Sequence, residues 1–234
     1  SSCRHARSQE PFPHGSNGST LATAGRGRWA PVRTPRASAG LGATLAGMAT
    51  FYDSLTEPLV EFIGRQHVFF VGTAAADGHV NVSPKGLDSF RVLGPNRVAW
   101  LNGTGSGNET AAHVAALNRM TIMFCSVEGK PWILRLYGTA RIVQPGDADF
   151  DALASLFPPL LGSRQVFDVA VESCTTACGF GVPLFDYVGQ RDLMPQWAER
   201  KGPDGLRAYQ RAHNAVSIDG LDAHLPTAVL ADDA

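Results

Sequence analysis

From residue 51 onward the chain alternates short apolar runs with turn-forming pairs. Leu55, Leu59, Phe62 and Ile63 recur at i, i+4, i+7 and i+8, a spacing that predicts a helix with one apolar face. Ser54 or Thr56 can cap it, and Pro58 is compatible only with its first turn. Residues 67–75, HVFFVGTAA, are rich in strand formers, and Asp77-Gly78 after them signals a hairpin. Over 79–84 the side chains alternate, with Val80 and Val82 on one face and His79, Asn81 and Ser83 on the other. FRVLG, the turn Pro95-Asn96 and RVAWLN (97–102) continue an antiparallel meander.

The pattern breaks at GTGSGNE, and residues 109–118 then read as a short helix. MTIMFCSV (120–127) and WILRLYGTARIV (132–143) predict two more strands around Glu128-Gly129. A helix begins near Asp147 and ends by Pro158-Pro159, and residues 164–178 form a last long strand. From Pro183 onward, LFDYV, MPQWAERK and GLRAYQRAHNAV read as helical. About six antiparallel strands with peripheral helices predict a mainly β domain, a small closed or nearly closed barrel, since closure removes exposed edges.

Composition divides the 234 residues in two. Residues 1–47 carry six arginines and one acid, a net of +5, so the overall charge of −1 leaves −6 for residues 48–234. The leader is rich in Ser, Gly, Ala and Pro, has no helical or strand period, and is expected to be disordered. It reads as an organellar transit segment, as sequence upstream of a start at Met48, or as a basic arm. Without it the body is expected in the cytoplasm; a genuine transit segment would direct it to an organelle. No apolar run reaches the roughly 18 residues of a membrane span, and the balanced charge argues against a nucleic-acid binder. Cys174 and Cys178 form a C-x3-C pair with no further ligands at zinc spacing, so no metal site is expected.

Candidate chemistry sits at four places. Ser83-Pro84-Lys85-Gly86 ends a strand, because Pro84 cannot donate to a ladder, and sets a cation beside exposed backbone; an ordinary strand exit is the alternative. GTGSGNET (103–110) is a glycine-rich loop running into a helix, where backbone N–H groups and the helix dipole suit phosphate. Ser106, Asn108 and Thr110 add polar side chains there, although the segment is equally readable as a capped turn. Arg135 shares a strand face with Tyr137, opposite Leu134 and Leu136, and points either to solvent or into a site. CGFGVP (178–183) is a tight segment that can serve as a turn or as a wall for a planar ligand. There is no G-x-S-x-G elbow to suggest a hydrolase.

Together, HVNVSPKGLDSFRVLGPNRVAW, GSGNETAAH, ILRLYG, CGFGVP and NAVSIDGL make residues about 51–222 resemble the pyridoxamine 5'-phosphate oxidase-like flavoproteins of the FMN-binding split-barrel fold. The resemblance implies a six-stranded antiparallel split barrel, a homodimer with FMN at its interface, and hydride transfer to or from a small substrate. It places Asn81, Val82, Ser83, Pro84, Lys85 and Gly86 along the flavin, with Trp100 and Leu101 beside them. Ser106, Gly107, Asn108, Glu109 and Thr110 would receive the phosphate, and Arg135 would come from the next long strand. Two departures stand out. The family's Arg-Lys pair is replaced by Glu109-Thr110, and no terminal segment matches the one that grips pyridoxal phosphate, which argues against a vitamin B6 substrate. The alternatives are a non-catalytic flavin sensor or carrier and a deazaflavin-dependent reductase.

Overall fold

The computed structural model describes residues 49–230; the leader 1–47 and the expectation attached to it lie outside them. Eight strands form one antiparallel sheet: β1 (Ala49–Tyr52), β2 (Phe69–Thr73), β3 (Asn81–Lys85), β4 (Phe90–Gly94), β5 (Arg97–Gly103), β6 (Met120–Cys125), β7 (Trp132–Val143) and β8 (Ser163–Cys178). Their order is β3-β2-β6-β7-β8-β5-β4, with β1 added on β8. The split-barrel reading therefore stands, with two corrections. There are eight strands where six were expected, and β3 and β4 do not pair, so the barrel stays open. The extra count includes β1, whose four residues pair with Cys174–Ala177 and are too few to announce themselves by periodicity.

The sheet nevertheless curls until its ends meet. Phe69 on β2 packs against Phe90 on β4 at 5.0 Å and Trp100 on β5 at 6.3 Å, and Phe90 also packs against Phe124 on β6 at 5.0 Å. These edge-on rings fill the interior with Val71, Ile122, Leu134, Leu136 and Phe167, all essentially inaccessible to water. Along β7 and β8 the register slips between Tyr137 and Gly138, leaving Glu172 without a partner. Before this bulge Phe167, Val169 and Val171 face the core; after it Cys174 does.

Five helices lie outside the sheet: α1 (Glu57–Gly64), α2 (Glu109–Ala116), α3 (Phe150–Ala154), α4 (Leu193–Asn214) and α5 (Thr227–Leu230). α1 buries the expected Leu59, Phe62 and Ile63 with Thr56 at its start. α4 joins the two helices expected in the tail, kinked at Gly202 (φ 67°) before Pro203. LFDYV is not helical. The Phe185 and Tyr187 N–H groups donate instead to the Val127 carbonyl and the Glu128 carboxylate. No helix among the described residues is long and apolar enough to cross a membrane.

Candidate functional site

The gap between β3 and β4 is spanned by Gly86–Ser89. Leu87 and Asp88 there adopt φ values of 58° and 53°, a conformation that costs non-glycine residues on the order of 1–3 kcal/mol each. Arg91 holds Asp88 through paired bonds of 2.8 and 2.9 Å. Beside this turn a cleft of about 640 Å3 opens between the exit of β3, the end of β5, the loop 103–108, the start of α2 and residues 216–218.

Asn81, Ser83, Pro84, Lys85, Gly86, Leu101, Ser106, Gly107, Asn108, Glu109 and Thr110 all line this cleft. Three other residues named from the sequence do not. Val82 points out of the opposite face of β3, 62% exposed. Trp100 lies beneath, fully buried and stacked on Phe167 at 4.4 Å; the Lys85 ammonium rests 5.2 Å from its ring. Arg135 stands on β7 opposite Met123 and Thr175, between the core-facing Leu134 and Leu136, and is not brought to the cleft within one chain.

The loop 103–108 is fastened from behind. The Thr104 hydroxyl donates to Gly162 O (2.5 Å) and accepts from Gln210 (2.7 Å), Asn214 donates to Gly105 O (3.0 Å), and Arg164 Nη1 donates to Gly107 O (2.8 Å). Because each trans peptide sets N–H opposite C=O, these bonds turn the Ser106 and Asn108 N–H groups away from the donors. The Asn108 side chain does not cap α2; it accepts from Gln165 at 2.9 Å. On the facing wall Ser83 donates to Asn81, and Asn81 to Thr110, both at 3.3 Å.

Arg164 was not singled out in the sequence, where a lone arginine at the start of an apolar strand carries no special mark. Here it is 5% exposed, lines the cleft, and leaves its buried Nε without a partner. Burial lowers its pKa to about 10. Lys85 is lowered to about 8, first by burial and then by the positive charge of Arg164. Among the described residues no carboxylate forms an ion pair with either cation. Glu109, the departure that set an acid at the phosphate loop, turns to another task. Both of its oxygens accept from the Ile218 N–H (3.2 and 3.1 Å). The same segment is anchored where Asp219 accepts from the His79 N–H at 2.8 Å and meets His79 Nδ1 at 2.6 Å. This close approach needs Gly78, where a Cβ would lie 2.5 Å from the Asp219 carboxylate and φ is 93°. The late motif NAVSIDGL is thus a strap over the cleft, fixed by His79 and Glu109. No group of three or more His, Cys, Asp or Glu side chains among the described residues is placed to hold a metal ion.

An open antiparallel barrel with a polar, cationic cleft at its split agrees with what comparison finds. Residues 55–178 match the family model for pyridoxamine 5'-phosphate oxidase. The pyridoxamine 5'-phosphate oxidase family protein ustO of Aspergillus flavus is 37% identical over 192 residues, covering 74% of this chain and 77% of that protein. The chain belongs to the pyridoxamine 5'-phosphate oxidase family. Two solved structures also align: HupZ of Group A Streptococcus (22% identity, 50% of this chain and 90% of that one, TM-score 0.40) and the FAD binding protein of Mycobacterium smegmatis (17% identity, 53% and 95%, TM-score 0.38).

Proposed function

We propose that this chain is an FMN-dependent oxidoreductase whose cofactor occupies the cleft at the split of the barrel. The observation that carries the reading is Arg164, a buried guanidinium with an unpartnered Nε at a glycine-rich helix start. Leaving such a group without an anion is costly. A phosphate at the loop would lie between the Arg164 charge on one side and the outward-turned amides at the positive end of α2 on the other. Arg164, delivered by a different strand, thus supplies the charge that the missing Arg-Lys pair would have given. Asn81, Ser83 and Thr110 offer hydroxyl and amide partners for a ribityl chain, and Lys85 over Trp100 supplies positive charge for the ring.

A flavin held by Arg164, Asn81, Ser83 and Thr110 would supply hydride-transfer chemistry between two reactants. The chain's own part is to bind, orient and bias charge: Lys85 favours an anionic ring, and the strap 216–218 covers one side of the cleft. No protein nucleophile is needed. A homodimer belongs to the same reading. β3 is a free sheet edge, with Val80 and Val82 exposed to 72% and 62%, and the strap carries Val216 and Ile218 exposed to 58% and 76%. A second copy paired on the β3 edge and covering Val216 and Ile218, which line the cleft, would close its mouth.

The test is uptake of FMN by the purified chain. Retention of one flavin per chain after gel filtration, with bleaching by NADPH or NADH and reoxidation in air, is the expected result. Failure to take up FMN overturns the cofactor assignment, uptake without any turnover overturns the enzyme assignment, and sedimentation of the loaded protein as a monomer overturns the dimer.

A further inference from the structure

A second and larger cleft, about 1070 Å3, lies on the other side of the Lys85–Leu87 wall. Pro84, Lys85, Gly86, Leu87 and Met194 line both clefts. Its remaining walls are mixed, and aromatic side chains stand on both sides of it. Phe62 and Trp132 meet edge to face at 5.7 Å on the barrel side. On the outer side the segment 185–191 crosses the opening, with Tyr187 stacked on His67 at 3.6 Å and Phe185 beside it. Gln190 ties this segment to the shared wall: its carbonyl accepts from the Leu87 N–H (3.2 Å) and its amide donates to the His67 carbonyl (3.3 Å).

The carboxylates around this cleft are Glu61, Glu128 and Asp186. Glu61 meets Arg65 at 3.8 Å, and Glu128 accepts from the Tyr187 N–H at 3.0 Å. Lys130 sits over the Trp132 ring at 4.1 Å. Lys85 has an aromatic ring beneath it and another cation, Arg164, as its charged neighbour. The end of the cleft next to the shared wall is therefore positive, and flat rings stand on its sides. That combination suits a planar ring with an acidic oxygen pointing at Lys85.

We propose that the larger cleft is a binding site for an aromatic anion, a ring bearing a carboxylate or phenolate, whose charged end lies against Lys85 and whose ring is held by Trp132, Phe185 and Tyr187. Its role as the substrate site rests on reading the neighbouring cleft as the flavin site; the binding itself does not. The shared Lys85 wall then sets the acidic end of the ring next to the cofactor, with segment 185–191 as the outer face of the slot.

The test uses the full chain, with and without FMN, and 2-naphthoate as probe, followed by tryptophan quenching and by calorimetry. Saturable binding of one naphthoate per chain in the presence of bound FMN is expected, stronger than that of the neutral 2-naphthylmethanol. Tyr187→Ala and Phe185→Ala, both on an exposed segment, should each weaken naphthoate about tenfold while FMN affinity stays within about twofold. Lys85→Met should erase the preference for the anion. Displacement of FMN by naphthoate overturns the proposal, because the clefts would then be one site. Unchanged naphthoate affinity in both arm variants overturns it as well. If FMN does not bind but naphthoate binds with the same dependence on Tyr187, Phe185 and Lys85, the site stands and the flavin reading falls.

Discussion

Arg164 donates from Nη1 to the Gly107 carbonyl at 2.8 Å while its Nε, equally buried, meets nothing. The guanidinium thus fixes the loop through one nitrogen and sets on the cleft wall a charge with no carboxylate partner among the described residues. Arg164→Met should weaken FMN, and inorganic phosphate as its competitor, by about 100-fold. Thermal stability of the ligand-free chain should hold or rise, since a desolvated charge is removed. Fluorescence titration and a melting curve check both. A large loss of stability with intact FMN affinity would make Arg164 a structural residue only.

Lys85 gives the cleft a pH dependence. With its pKa lowered to about 8, it is charged at neutral pH and loses its proton as pH rises through that value. FMN affinity should be level around pH 7 and fall above about pH 8. The ligand-free fold should gain stability over the interval between about 8 and the ordinary lysine value near 10.4, because there the unfolded chain binds the proton and the folded chain does not. Lys85→Met should flatten both profiles. An alkaline fall in affinity that persists in this variant would assign it to another group.

The strap over residues 216–218 is held by His79–Asp219 and by Glu109. The His79 pKa is raised, first by its hydrogen bond to Asp219 and then by the charge of that carboxylate; Asp219 is lowered by its bonds from His79. The ion pair is complete below the ordinary imidazole pKa and is lost as pH rises through the raised value; at the acid end it is lost as Asp219 takes up a proton. Hydrogen exchange at the Ile218 amide should accelerate across the upper transition. Glu109→Gln should accelerate it further by weakening its acceptor, and exchange that ignores both changes would mean the strap is held elsewhere.

Gly138 lies at the β7–β8 bulge, where a Cβ would sit 2.0 Å from the Ala170 carbonyl oxygen. Neither strand can yield without breaking its ladder. Gly138→Ala should therefore cost roughly 1–3 kcal/mol of stability, the scale of an overpacked core, read by denaturant unfolding. FMN affinity of the folded fraction should be unaffected, since Gly138 pairs with Val171 in the middle of β8 and does not line the cleft.

Much of this was legible in order. Alternation over 79–84, the pairs Asp77-Gly78 and Pro95-Asn96, and the glycine loop before Glu109 each declared a local structure, and the family resemblance added the site residues, eleven of which line the cleft. What escaped depended on distant chain. Arg164 bonds to Gly107, 57 residues earlier, on a loop that Gln210 and Asn214 of α4 hold in place. Glu109 read as a clash with phosphate because its partner, Ile218, lies 109 residues away. Segment 184–188 looked apolar enough to pack as a helix, but its role is to bridge an opening, which no period records.

The unpaired Glu172 has a consequence for how the two ends of β8 depend on each other. Side chains on a strand alternate, so one extra residue exchanges inside for outside. Removing Glu172 would leave either half of β8 correctly phased, but never both. If Cys174 and its β1 partners kept their seats, Phe167 and Val169 would turn outward and the start of the strand would carry Arg164 to the wrong face. The bulge is the splice that lets one continuous strand serve two differently phased walls.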